Sequence, residues 1–94
     1  GQIGQKDGQL VSDNFEEQTI QAIANIKKIL EDNNLNIKNI IDVLVFLVDQ
    51  NDYNAFNEIY TKEFQEPYPT RTTVTVKFLP MNAKIEFKII ASLS

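Results

Sequence analysis

Residues 40–49 read IIDVLVFLVD, and this run constrains the fold more than any other stretch of the chain. It is rich in β-branched and apolar residues, which predicts a strand over residues 41–49. Alternation puts Ile41, Val43, Val45 and Leu47 on one face and Leu44, Phe46 and Val48 on the other. A strand apolar on both faces must be covered on both. Helices can cover one face. The other needs a neighbouring subunit, or an internal second layer for which the rest of the sequence offers little material. The chain has 94 residues, 43% of them hydrophobic, enough for one domain with a modest core that an oligomer would help to stabilise.

Two helices flank this strand. SDNFEEQTIQAIANIKKILEDNN, residues 12–34, predicts a helix over 14–33, with Asp13 as cap and Glu16 completing a capping box. Its apolar face is Phe15, Thr19, Ala22, Ile23, Ile26, Ile29 and Leu30. NDYNAFNEIYTKEF, residues 51–64, predicts a second helix capped by Asn51 or Asp52, with Tyr53, Phe56, Ile59, Tyr60 and Phe64 on its apolar face. QEPYP then breaks it.

Two further strands are expected over 71–78 and 84–93. The first alternates Arg71, Thr73, Thr75 and Lys77 against Thr72, Val74, Val76 and Phe78. The second alternates Ile85, Phe87, Ile89, Ala91 and Leu93 against Lys84, Glu86 and Lys88. LPMNA between them suggests a hairpin. Matching polar faces would put Arg71 and Glu86 on one face, about 13 Å apart along the strands at ~3.3 Å per residue. At the front, GQI reads as the end of a strand whose beginning is missing, and KDG as a turn. Together these elements suggest an α+β sandwich with its helices on one face.

Composition removes several chemistries. There is no Cys and no His, so disulfides, thiolate nucleophiles, imidazole bases and the usual zinc ligands are excluded. Net charge is -4 and no basic cluster exists, so a nucleic-acid partner is not expected. No apolar run reaches membrane-spanning length. EDNNLN and DQNDYN invite a calcium loop, but the sixth position from Asp32 is Ile37, and from Asp49 the sixth and twelfth are Asn54 and Tyr60; neither run has the required Gly and Glu. They read as helix ends and caps. Tyr53 and Tyr60 read as core packing.

Arg71, the single arginine, and Glu86 are the remaining candidates. On residues alone, Arg71 fits a surface or interface salt bridge and Glu86 a solvated strand position between lysines.

GQI, EEQTIQAIANIKKILE, VFLVDQNDYNAFNEIY, YPTRTTV and LPMNAKIEFKIIA stand in the order and spacing of the RidA/YjgF family, the reactive-intermediate deaminases also called L-PSP endoribonucleases. The chain resembles that family over nearly its whole length. The resemblance implies a chorismate-mutase-like α+β subunit, a single-layer sheet with two helices on one face, N-terminally truncated by about thirty family residues. It implies a homotrimer with sheets inward and active sites in clefts between subunits. The implied reaction is hydrolysis of 2-imino and 2-enamino acids, such as 2-iminobutyrate and 2-aminoacrylate, to 2-keto acids and ammonia, without metal or organic cofactor. Carried onto this chain, Arg71 grips the substrate carboxylate and Glu86 activates the attacking water. Thr73 stands where many members carry Cys and contributes through its backbone N–H. Gly1 lines the pocket, and Asn57 supports it. The expected compartment is the cytoplasm, with a mitochondrion or other organelle left open. Two alternatives remain: a non-catalytic trimeric module that binds or senses small carboxylates, and RNA cleavage or translation inhibition. Ligand binding without turnover separates the first from the deaminase. The acidic balance and absent His weigh against the second.

Overall fold

The structure, a computed structural model, describes residues 1–93. Six strands and two long helices run in the order β1 (Gln2–Ile3), β2 (Gln5–Lys6), β3 (Gln9–Leu10), α1 (Phe15–Asp32), β4 (Ile40–Leu47), α2 (Tyr53–Glu63), β5 (Thr70–Thr75) and β6 (Ile85–Ala91). The main sheet has the order β1-β6-β4-β5. Strand β4 is central because it alone is apolar on both faces.

Strand β5 runs parallel to β4, with Val43 opposite Arg71 and Val45 opposite Thr73. A parallel pair needs a crossover, and α2 supplies it. Strand β6 returns antiparallel on the other edge of β4, with Val45 opposite Phe87 and Phe46 opposite Glu86. The expected hairpin between residues 71–78 and 84–93 is therefore overturned. LPMNA carries the chain over the end of β4, through a single turn at Pro80–Asn82 in which Met81 and Asn82 take positive φ. The polar residues of β5 and the apolar residues of β6 consequently share a face, the reverse of the polar-to-polar match.

Both helices pack on one face of the sheet. The core under them joins Ala22, Ile23, Ile26 and Leu30 of α1 to Phe56 and Tyr60 of α2 and to Val43, Val45, Leu47, Ile85 and Phe87 of the strands. Ile29 departs from the expected apolar face and stays 42% exposed, on a groove with Gly1, Gln2 and Phe87. The opposite face of the sheet carries a smaller cluster of Ile3, Leu79 and Ala83, packed against Leu10, Phe46, Val48 and Val76. The chain thus provides part of the second layer itself.

Local chemistry explains the element ends. Asn14, not Asp13, caps α1: its side chain accepts the Glu17 backbone N–H at 2.8 Å. Asp52 makes no side-chain cap on α2; Asp49 instead accepts from the Asn51 N–H at 2.9 Å and caps the single turn Gln50–Asp52. The acidic and amide runs are caps, as their sequence suggests. In the KDG turn, Asp7 and Gly8 both take positive φ, the geometry of a two-residue hairpin between β2 and β3. Among the described residues no helix is long and apolar enough to cross a membrane.

Two amides, one buried and one half-buried, fasten α1 to the strands. Gln18 is 1% exposed; its Nε2 donates to the Ser12 carbonyl at 2.8 Å and its Oε1 accepts from the Lys84 N–H at 2.9 Å. Asn25 donates to the carbonyls of Ile3 and Gln5 at 3.2 and 2.9 Å. The first bond fixes the start of β6 two residues before Glu86. The second fixes β1 beside Gly1.

Candidate functional site

Arg71 lies on the helix face of β5. Pairing with Val43 sets that orientation, since residues opposed across a parallel pair project the same way. Its guanidinium carbon sits 4.8 Å from the Tyr60 ring centre, 5.1 Å from Phe56 and 5.8 Å from Tyr53, all on α2. Each ring face attracts the cation through its quadrupole. Arg71 Nη2 donates to the Tyr53 hydroxyl at 3.1 Å. No carboxylate pairs with it: among the described residues the only ion pair is Lys27–Glu63, at 2.6 Å. The salt-bridge reading of Arg71 therefore fails within one copy.

Arg71 borders an open pocket of about 300 Å³ with Asn57, Tyr60, Thr61, Tyr68 and Pro69. Asn57 and Tyr53 stand one helical turn apart. Hydrogen bonding from Asn57, and then the charge of Arg71, hold the Tyr53 phenol below its ordinary range. Burial pushes the Tyr60 phenol up, against the pull of Arg71. Thr73 follows Arg71 on the same face, opposite Val45. The Thr73 and Tyr60 hydroxyls are buried oxygens without a hydrogen-bond partner among the described residues.

Glu86 lies elsewhere. It pairs with Phe46 and with Ile3, both of which point away from the helices. Its carboxylate makes no hydrogen bond or ion pair among the described residues. Gly1 is its immediate neighbour, and a side chain there would run into the Glu86 carboxylate.

The five residues singled out in the sequence fall into two groups. Arg71, Thr73 and Asn57 share the helix side of the β5 edge, whereas Gly1 and Glu86 adjoin on the opposite face of β6. Sequence reasoning missed Tyr53, which was read as core but is 40% exposed with its hydroxyl on Arg71. Its place in the first turn of α2, outside the fully buried stretch, was the available signal. Tyr68 and Pro69, in the segment that breaks the helix, also border the Arg71 pocket. No group of three or more acidic side chains is placed to hold a metal ion among the described residues.

The chain as a whole resembles known proteins in sequence and fold. The family model "Endoribonuclease L-PSP" matches residues 1–93. Reactive Intermediate Deaminase A, chloroplastic, of Arabidopsis thaliana is 40% identical over 86 residues, which are 92% of this chain and 46% of that protein. The 2-iminobutanoate/2-iminopropanoate deaminase of Homo sapiens is 38% identical over 97% of this chain and 68% of its own. The chain thus spans about half of the plant relative and two thirds of the human one. The crystal structure of E. coli TdcF with bound serine superposes with a TM-score of 0.92 at 34% identity, covering 100% of this chain and 77% of that one. The chain belongs to the L-PSP endoribonuclease family, the RidA/YjgF group, whose characterised names include imine deaminases.

Proposed function

We propose that the chain hydrolyses 2-imino acids to 2-keto acids and ammonia, in a homotrimer whose clefts combine Arg71 of one copy with Glu86 of the next. The observation that carries this reading is the free guanidinium of Arg71, set over three aromatic rings beside an open pocket and without a carboxylate partner among the described residues. A half-buried guanidinium fork backed by ring faces suits a bidentate carboxylate, which a lysine would hold less specifically. The substrate class comes from the human relative, a 2-iminobutanoate/2-iminopropanoate deaminase.

In this mechanism Arg71 holds the substrate carboxylate and Asn57 borders the same pocket. Glu86 accepts a proton from water as its oxygen bonds to the imine carbon, giving a tetrahedral carbinolamine. The proton then passes to nitrogen; as the carbon–nitrogen bond breaks, the carbinol hydroxyl gives its own proton to the departing nitrogen, leaving a keto acid and ammonia. An enamine such as 2-aminoacrylate first takes a proton on carbon to become the imine. Gly1 leaves room for the carboxylate and water beside it. Thr73 offers its backbone N–H to the bound acid.

The test is keto-acid release from 2-iminobutyrate made in situ by a threonine dehydratase. Acceleration that disappears in Arg71→Ala supports the reading; no acceleration over spontaneous hydrolysis contradicts it. RNA cleavage, which the family description names, finds little support in a chain of net charge -4 without histidine.

A further inference from the structure

We propose that Tyr53 is a positioning residue for Arg71: its hydroxyl, accepting from Nη2, fixes the rotation of the guanidinium so that the fork meets a carboxylate in one orientation. The inference rests on Arg71 as the carboxylate-binding group and extends that reading to a residue outside the assigned set.

Arginine is a long side chain that loses much rotamer freedom when it is ordered. An acidic partner could fix it, but Arg71 has none among the described residues. The rings of Phe56 and Tyr60 set its height above α2, at 5.1 and 4.8 Å. A ring face attracts a cation whichever way the cation turns within its own plane, so stacking leaves that rotation undetermined. One directional bond is needed, and the 3.1 Å contact from Nη2 to Tyr53 is the one the chain supplies. It uses a single N–H of the five, leaving the others for a ligand.

The test uses the full chain and Tyr53→Phe, which removes only the oxygen. Because Arg71 is the single arginine, the guanidinium region of the NMR spectrum reports this group alone. Tyr53→Phe is expected to lower the order parameter of the Arg71 Nε–H in the ligand-free protein. It is also expected to weaken 2-ketobutyrate binding and raise KM for 2-iminobutyrate by roughly fivefold, the equivalent of one hydrogen bond, with kcat and Tm held. A merely structural role would not split KM from kcat. Unchanged order and unchanged KM in Tyr53→Phe, beside an Arg71→Ala that loses binding, would overturn the positioning role and leave the carboxylate site standing. An Arg71→Ala that binds 2-ketobutyrate as the wild type does would overturn the site itself, and the positioning role with it.

Discussion

Arg71 and Glu86 stand on opposite faces of one sheet. Arg71 opposes Val43, which is buried beneath the helices, while Glu86 opposes Phe46, which points the other way. Strand β4 separates them. A reaction that uses both side chains on one small substrate therefore requires two copies of the chain, arranged head to tail so that the helix side of one β5 edge meets the open face of another.

Removing the guanidinium should cost binding first. Each charge-assisted hydrogen bond to a carboxylate is worth about 1.5–3 kcal/mol, so Arg71→Ala is expected to weaken 2-ketobutyrate binding roughly 10- to 100-fold or more. Arg71→Lys should recover little of it, because an ammonium cannot make the planar two-point contact. Titration calorimetry on the three proteins checks both statements.

Glu86→Gln should separate binding from turnover. The amide keeps the size of the side chain but cannot accept a proton from water. Loss of a general base is expected to lower kcat by about 10²–10⁴ while 2-ketobutyrate binding changes little. Equal losses in binding and turnover would point instead to a structural role.

The tyrosines flanking Arg71 should titrate in opposite directions from the ordinary phenol value near 10. Asn57, then Arg71, lowers Tyr53, so absorbance of the phenolate should show a component below that value. It should rise in Asn57→Ala and in Arg71→Ala alike, since each removes a group that favours the phenolate. Its small, solvent-screened contribution to stability is present above the unfolded value and is lost as pH falls through the folded one. Burial raises Tyr60, so its contribution is complete below the unfolded value and is lost as pH rises through the folded one. Unfolding measured across pH 9–11 should therefore show a loss of stability that Tyr60→Phe removes. The same variant should not destabilise the protein at neutral pH, since the Tyr60 hydroxyl is buried without a partner among the described residues.

Gln18→Ala should be among the costlier single changes, at about 2–3 kcal/mol in denaturant unfolding. It removes a buried side chain and leaves the Lys84 N–H and the Ser12 carbonyl without their bonds. Gly4→Ala should also destabilise, because a Cβ there would meet the backbone of Gln18. A surface change such as Lys62→Ala serves as the near-neutral control.

Much of the fold was legible in the sequence. The run from Ile40 to Leu47 announced a central strand by being apolar on both faces, and the helical spacing of Ala22, Ile23, Ile26 and Leu30 marked the buried side of α1. Pairing was not legible. The short LPMNA connection resembles a hairpin loop, and only the demand of β4 for partners on both edges places β5 and β6 on opposite sides of it. That single error put Arg71 and Glu86 on a common face. Residue chemistry alone left Arg71 as an ordinary ion-pair candidate; its separation from every described carboxylate depends on packing that no local pattern encodes. Tyr53 was hidden for a related reason: its position in the apolar stripe of α2 is that of a core residue, but the helix begins there, at the rim of the pocket.

The most direct measurement of a site shared between copies is complementation. Arg71→Ala and Glu86→Ala proteins, each inactive alone, are unfolded together, refolded as a mixture and assayed for keto-acid release from 2-iminobutyrate. Random assembly leaves about one interface in four with both groups intact, so the mixture should regain about a quarter of wild-type activity. A mixture as inactive as its two components, despite demonstrated exchange of subunits, would contradict a cleft built from Arg71 of one copy and Glu86 of another.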